Sequence, residues 1–363
     1  MNKILRIASA FVGIIVGAGF ASGQEILQYF TSYGYLGTAG AIAATALFAY
    51  MGMMLTKLGT RTKAKSHKEA VYRVSGYKWL GTIVDYVIIF TLFSVGVVMI
   101  AGAGSIPSQQ FGLPPVVGVI LMSIIVIATI MMNVEKVINV IGSITPFLIV
   151  TVIIISIYSV VTMDSSYQSL VSVALEQPQA MSNWFINNWF VSSLNYVSFN
   201  IAVGASMSLL MGGNEEDERA SSIGGLIGGF VLGLLIVLSH LAIFSQVDVV
   251  ADAAMPMLKI VDSLSPVLGI LYSLILFGMI FNTAVSMFFS LAARFTVVGT
   301  STHKKFVLTI GVIAFGLSFV GFTNLISIFY PVIGFMGLFL ILALVTAPFR
   351  LKETKRSNEQ ISA

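Results

Sequence analysis

The chain has 363 residues, of which 57% are hydrophobic and only 9% charged, and its mean hydropathy is +0.97. These values exclude an ordinary soluble globular domain and predict an integral membrane protein. The sequence contains no cysteine, which excludes a disulfide framework and a cysteine metal site. The net charge of +4 could suggest an acidic partner, but the positions of the basic residues along the chain explain it better.

Long intervals with few or no charged residues predict ten membrane-spanning helices, because a helix needs about 20 mostly apolar residues to cross a bilayer. In chain order the predicted spans are 4–30, 34–57, 81–105, 116–132, 137–162, 184–211, 222–245, 265–293, 305–321 and 323–348. They form a single transmembrane domain over residues 1–350, and residues 351–363 form a cytoplasmic tail.

The basic residues predict the orientation of these spans. If the N-terminus lies inside the cell, every Lys and Arg except Lys259 falls on an inner segment or at its border. Cytoplasmic loops of membrane proteins carry such an excess of basic residues. The sequence therefore predicts a multi-pass protein of the cell membrane with both termini in the cytoplasm.

The spans also repeat in two halves, about 4–162 and about 184–348. An offset of about 187 residues carries spans two to five onto spans seven to ten. Because each half contains five spans, the second half starts from the opposite side of the membrane, so the repeat is inverted. Inverted repeats with interrupted helices are typical of secondary transporters. The alternative is a chance agreement between helices of ordinary length.

The first span contains the stretch GAGFASGQE, residues 17–25. Its three glycines predict an interruption of the helix, which is tolerated at membrane depth only inside protein or beside water. A half-helix starting near Ser22 would offer N–H groups to a carboxylate, and carbonyls freed near Gly13 to Val16 would suit a cation. Span six has a matching polar and glycine-containing stretch at 198–206. Close packing of helices is the alternative reading of each stretch.

These features resemble the amino acid, polyamine and organocation transporter superfamily with its LeuT-type five-plus-five fold. GAGFASGQE is similar to the first-span motif of the YkvI-type bacterial membrane proteins. Gly17-Ala18-Gly19 matches the superfamily's Gly-small-Gly pattern, whereas Phe20-Ala21 departs from the Ile-Phe that often follows. The resemblance implies an all-α membrane fold with helices 1 and 6 interrupted.

The resemblance also implies the site residues. Backbone groups at the first break would hold the substrate's carboxylate, and helix six would line the pocket. The implied substrate-binding residues are Gly17, Ala18, Gly19, Phe20, Ser22, Phe199, Asn200 and Gly204. The implied sodium ligands are Gly13, Val16, Met279, Asn282 and Thr283, although Asn282 and Thr283 serve equally well for hydrogen bonding between helices.

Two carboxylates inside predicted spans, Glu25 and Asp85, are candidates for coupling or gating, because ionisable groups in spans are functional by default. The helical rise from Arg6 places Glu25 about 28 Å along the helix, toward the outer face. It is a gate, a proton site, a partner for a substrate amine or a carboxylate hydrated from outside. Asp85 lies near the cytoplasmic end of span three, in a hydrated or paired position.

Two connecting segments also carry expectations. The acidic run at 212–219 is predicted to be a solvated inner loop that caps span seven. The outer segment 246–264 contains helix-compatible patches and resembles the lid-like outer loop of the LeuT fold, with a passive connector as the alternative.

The sequence as a whole predicts a secondary active transporter of a small amino acid or related amine, working by alternating access. Sodium coupling is the first expectation and proton coupling the second; a membrane sensor that binds a ligand in the same pocket is the alternative. No arrangement of enzyme residues is present, so an enzyme is not predicted. The expected partners are a small-molecule substrate and the lipid bilayer, and no nucleic acid. Sodium, as the coupling ion, is the one expected cofactor, and the sequence does not predict an oligomeric state.

Overall fold

The computed structural model describes residues 3–63, 69, 72, 75–131, 145–163, 165–182 and 187–361. Within these residues the regular structure is entirely helical. The helices of the first half are α1 (Lys3–Ile15), α2 (Ala18–Ser22), α3 (Gln24–Tyr29), α4 (Tyr35–Thr62), α5 (Lys78–Phe111), α6 (Pro115–Met131), α7 (Thr145–Val161) and α8 (Tyr167–Leu175). Those of the second half are α9 (Trp189–Gly213), α10 (Glu218–Ser245), α11 (Val247–Val250), α12 (Pro256–Leu264), α13 (Pro266–Phe295), α14 (Ser301–Ser318) and α15 (Phe322–Ile361).

The chain is a multi-pass membrane protein. Among the described residues, five helices are long and apolar enough to cross a bilayer unaided: α4, α5, α10, α13 and the Phe322–Pro348 part of α15. A sixth span is added if the two parts of α9, Trp189–Ala205 and Met207–Gly213, are counted together across their 55° bend. The helix α6 and the segment Ile149–Val161 are apolar but shorter. The count of ten spans stays a prediction, and residues 137–144 of span five lie outside the described part of the chain.

Glycine determines how closely α10 packs. A Cβ atom at Gly225 would overlap the Gly52 carbonyl of α4, and one at Gly229 would overlap the Phe48 carbonyl. One turn away, a Cβ at Gly228 would lie 2.9 Å from the Ala8 carbonyl of α1. Small residues four apart let helix backbones approach closely in membranes. The helix α10 therefore approaches the backbones of both α1 and α4 closely.

Hydroxyl groups reinforce the contact between α4 and α10. They lie at the end of the two helices for which the sequence predicts a cytoplasmic position. Thr56 donates to the Ser221 carbonyl at 2.8 Å, and Ser221 donates to the Thr56 carbonyl at 3.0 Å. Thr60 donates to the Gly212 carbonyl of α9 at 2.9 Å. These bonds satisfy polar groups that are buried in an apolar setting, where an unpaired group is costly.

The loop before α10 is less solvated than predicted. Asp217 caps α10 by accepting from the Arg219 and Ala220 amides at 2.9 and 3.0 Å, as expected for a helix N-cap. Glu215, however, is buried and forms ion pairs with Lys3 and Arg6 of α1 at 3.0 and 3.1 Å. The hydrogen bond from Lys3 lowers the pKa of the Glu215 carboxyl below its ordinary value. The loop thus ties the first helix to the second half of the chain.

The outer segment between α10 and α13 folds into two short helices, α11 and α12. The side chain of Gln109, at the end of α5, donates from Nε2 to the Met255 carbonyl at 3.0 Å and accepts at Oε1 from the Met255 amide at 2.9 Å. A Cβ at Gly23 would lie 2.7 Å from Met257 Cγ, so α12 covers the turn between α2 and α3. The prediction of helical patches here is confirmed, and the segment lies directly on the glycine-rich stretch.

Candidate functional site

The first helix is interrupted at Val16 and Gly17. The last amide of its hydrogen-bonded ladder is Val16, which donates to the Val12 carbonyl at 2.8 Å, and the ladder resumes where Ala21 donates to the Gly17 carbonyl at 3.1 Å. Gly17 is extended, with φ −110° and ψ −174°. In the described part of the chain no backbone amide closes onto the carbonyls of residues 13–16. These oxygens are available to a ligand, as the glycine pattern predicted.

Helix resumes earlier than expected, in the short α2 from Ala18, and α3 then begins at Gln24, two residues after the predicted start near Ser22. The second irregularity is Gly23, whose φ of +81° is a conformation that glycine adopts without strain. Ser22 donates to the Gly19 carbonyl at 2.7 Å and accepts from the Gln24 amide at 3.2 Å. Its hydroxyl therefore stabilises the turn that separates α2 from α3.

Glu25 lies at the centre of this region. Its side chain is buried, with 5% of the residue exposed, so a carboxylate hydrated from outside does not describe it. Tyr196 of α9 donates its hydroxyl to Glu25 Oε2 at 3.2 Å, and Tyr330 of α15 presents its hydroxyl to the same carboxyl. A Cβ at Gly19 would overlap the carboxyl, so the group lies flat against the Gly19 backbone. The helical-rise estimate did not foresee this inward position.

Further aromatic rings pack against the two tyrosines that reach the carboxyl. The Tyr196 ring packs against Tyr29 at 5.2 Å and Phe30 at 5.1 Å between centroids, and more loosely against Phe199 at 6.2 Å. Phe199 in turn stacks on Tyr330 with centroids 4.1 Å apart and planes inclined by 19°. We refer to Tyr29, Phe30, Tyr196, Phe199 and Tyr330 as the aromatic cluster.

Sequence reasoning identified Phe199 but missed the tyrosines of the aromatic cluster. Tyr196 stands one helical turn before Asn200, on the same face of α9, and this spacing was a signal that could have found it. Tyr330 directly precedes Pro331, which interrupts the backbone ladder of α15. Asn195 then links the elements: it accepts from Tyr29 Oη at 3.2 Å and donates to the Pro331 carbonyl at 3.0 Å.

The predicted substrate-binding residues occupy different positions around the break. Ala18 and Phe20 are buried in α2. Asn200 is also buried, and its Nδ2 donates to the Tyr196 carbonyl at 2.9 Å within its own helix. A Cβ at Gly204 would lie 3.0 Å from the Ile15 side chain, so Gly204 packs against the end of α1. Their roles in binding stay predictions.

The predicted sodium ligands come partly together. Thr283 of α13 faces the break, since its Oγ1 lies 3.9 Å from a Cβ placed on Gly17. Val16 and Met279 are buried, whereas Asn282 is partly exposed. Gly13 is exposed, and because it has no side chain it could contribute only its carbonyl oxygen. No described contact joins all five residues, and the sodium site stays a prediction.

Asp85 is separate from the aromatic cluster. It forms an ion pair with Arg294, in the last turn of α13. Each side chain is 19% exposed. The paired position expected for Asp85 is therefore found, and the pair joins α5 to α13.

No protein-family model matches the chain. Two proteins of Bacillus subtilis strain 168 are similar to it over nearly their whole length. The membrane protein YkvI is 26% identical over 340 residues, covering 94% of each chain. The protein YyaD is 26% identical over 341 residues, covering 94% of this chain and 96% of its own. The chain resembles the YkvI-type membrane proteins. The resemblance inferred from GAGFASGQE is confirmed.

Solved structures extend this likeness to the fold. MhsT in complex with L-phenylalanine superposes with a TM-score of 0.61 at 17% identity, covering 92% of this chain and 87% of its own. Mhp1 in an inward-facing conformation gives 0.60 at 14% identity, covering 86% and 69%. The manganese transporter of Eremococcus coleocola gives 0.58 at 14%, covering 93% and 77%. These are transporters rather than enzymes. The chain has the LeuT-type fold.

Proposed function

We propose that this protein is a secondary active transporter that carries a small amino acid or related amine across the cell membrane by alternating access. The observation that carries the proposal is the interrupted first helix: free carbonyls lie at its break, and Glu25 beyond the break is buried against Tyr196 of α9 and Tyr330 of α15. Irregular backbone at membrane depth is otherwise hard to explain, since lipid cannot satisfy it. The solved structure of MhsT with L-phenylalanine, which shares the fold, supports this class of cargo.

The proposed topology has ten spans in two inverted repeats of five, with both termini in the cytoplasm. In support, described helices overlap every predicted span, the first through α1, α2 and α3 together and the fifth from Thr145 onward, and α9 bends after Ala205, near the predicted second interruption at Gly204. The basic residues support the orientation through the positive-inside bias. The 351–363 tail then follows on the cytoplasmic side.

The proposed coupling ion is sodium, with the proton as the alternative. Oxygen ligands suit a hard cation, and the free carbonyls of α1 face the break together with Thr283. Buried Glu25 is the observation that favours the proton, since a carboxyl in such a place can bind and release one.

The proposed cytoplasmic gate is the contact of α1 with the loop before α10. Lys3 and Arg6 converge on Glu215, and their side chains are about 60% exposed while that of Glu215 is 6% exposed. Opening the site inward requires α1 to leave this loop. Lys3 and Arg6 are exposed but Glu215 is buried, so the pairs separate at small cost only if the opening also lets water reach the Glu215 carboxylate.

The test is uptake of a labelled amino-acid and amine panel into proteoliposomes under an imposed sodium gradient, an imposed proton gradient or neither. Accumulation that depends on one gradient supports transport and identifies the coupling ion. Binding of a compound to the purified protein without accumulation under any gradient would contradict transport and favour the ligand sensor.

A further inference from the structure

Among the described residues, the groups shown to contact the Glu25 carboxyl carry no formal charge. Tyr196 and Tyr330 reach it from α9 and α15 with phenol hydroxyls, and the Gly19 backbone of α2 lies beneath it. Glu25, Tyr196 and Tyr330 are all at most 5% exposed. Removing a carboxylate from water is costly unless a positive charge or strong hydrogen bonds compensate. Two phenols supply hydrogen bonds but no opposite charge.

We propose that Glu25 binds the positively charged ammonium group of the cargo, so that the site selects organic amines and disfavours a free carboxylate beside Gly19. This inference rests on the proposed function, in which the break in the first helix is the cargo site. It narrows the cargo from amino acids and amines to amines.

The surroundings of Glu25 fit an organic cation. An ammonium can donate charge-assisted hydrogen bonds to a carboxylate, and these are about twice as strong as bonds between neutral groups. Ring faces of phenylalanine and tyrosine attract the same charge. Tyr196 and Tyr330 bring their rings to the carboxyl, so a cation bound to Glu25 would lie beside them.

The position of the carboxyl against Gly19 also argues against an anionic cargo. The superfamily resemblance implies that a substrate carboxylate would be held by the backbone of Gly17, Ala18 and Gly19. In this chain Glu25 already places a carboxyl group on the Gly19 backbone. Two carboxylates at this separation in a dry site repel each other, unless one of them is protonated. An amine without a carboxylate avoids the conflict.

The experiment uses compounds that share an apolar part and differ in whether they carry an ammonium group, a carboxylate or both. Full-length protein in nanodiscs is tested for binding of phenethylamine, L-phenylalanine and 3-phenylpropionate, and of ethylamine, alanine and propionate. The expected order in both series is amine before amino acid before acid. In Glu25→Gln, amine affinity should fall about tenfold or more, since a charged pair becomes a neutral contact, and the preference for amines should disappear.

Tyr196→Phe is the matched variant, because it removes one hydrogen bond to Glu25 but keeps the charge. It should retain the preference for amines, which separates charge recognition from a general disturbance of the aromatic cluster. Equal binding of acids and amines by the unaltered protein would overturn the inference. So would a Glu25→Gln variant that binds amines normally and has lost only its response to a proton gradient.

The outcome is separable from that of the proposed function. Gradient-driven uptake of amino acids with no preference for amines refutes the amine site and leaves the transporter standing. Selective amine binding that depends on Glu25, without uptake under any gradient, supports the amine site and contradicts transport.

Discussion

Replacing Gly19 by alanine perturbs the candidate site by one methyl group. The added Cβ would lie 2.7 Å from Glu25 Cδ and 3.3 Å from Tyr330 Oη, whereas ordinary contacts begin near 3.4 Å. The Glu25 carboxyl must therefore withdraw by about 1 Å or more. Alanine favours helix more than glycine does, and Gly19 lies within α2, so the backbone itself tolerates the change.

Overpacking of this kind typically costs about 1–3 kcal/mol. If the whole cost falls on the ligand-bound state, the affinity for the best-transported compound falls by a factor of about 5 to 150. Gly316→Ala is the matched control, because a Cβ at Gly316 on the exposed face of α14 has open space around it. It should leave the affinity unchanged.

The measurement is equilibrium binding in nanodiscs, together with thermal unfolding of the same samples to confirm that each variant is folded. A second substitution sharpens the test. Glu25→Asp shortens the side chain and should relieve the overlap, so Gly19→Ala and Glu25→Asp together should weaken binding less than the sum of their separate effects. Unchanged affinity in a folded Gly19→Ala protein would refute the placement of the site.

Three further outcomes follow from the packing and the ion pairs. Thr283→Val should raise the sodium concentration needed for half-maximal uptake by about tenfold or more, with Thr283→Ser close to normal, if its hydroxyl binds the ion; uptake measured against sodium decides this. Gly229→Ala should lower the unfolding temperature in detergent, because its Cβ meets a carbonyl of α4, by an amount corresponding to about 1–3 kcal/mol, whereas Gly316→Ala should not. Glu215, whose pKa is lowered by Lys3, contributes its full stabilisation above its ordinary value of 4.5 and loses it as pH falls through the folded-state pKa; unfolding followed against pH should show this acid-dependent loss, and Glu215→Gln should abolish it.

The local chemistry of the first helix could be predicted because glycine and carbonyl geometry act within a few residues. Gly17 is extended and the carbonyls before it are free, as the motif indicated. The short helix α2 was not predicted, because the motif does not show that two non-helical residues, Val16 and Gly17, are enough to interrupt the helix. The helical character of 246–264 was also visible locally, through its apolar spacing and Pro256.

Composition, the distribution of charge and the glycine pattern were sufficient, from the sequence alone, to predict a helical membrane protein with an interrupted first helix, and the resemblance of its motif to a transporter superfamily implied the LeuT-type fold. These properties depend on how single segments interact with lipid and water. The surroundings of Glu25 were decided only by the tertiary structure. Tyr196 and Tyr330 lie about 170 and 305 positions farther along the chain than Glu25. Only the packing of α9 and α15 against α3 brings their hydroxyls to this carboxyl. The same packing turns a carboxyl that was expected near the outer face into a buried group in contact with two tyrosine hydroxyls.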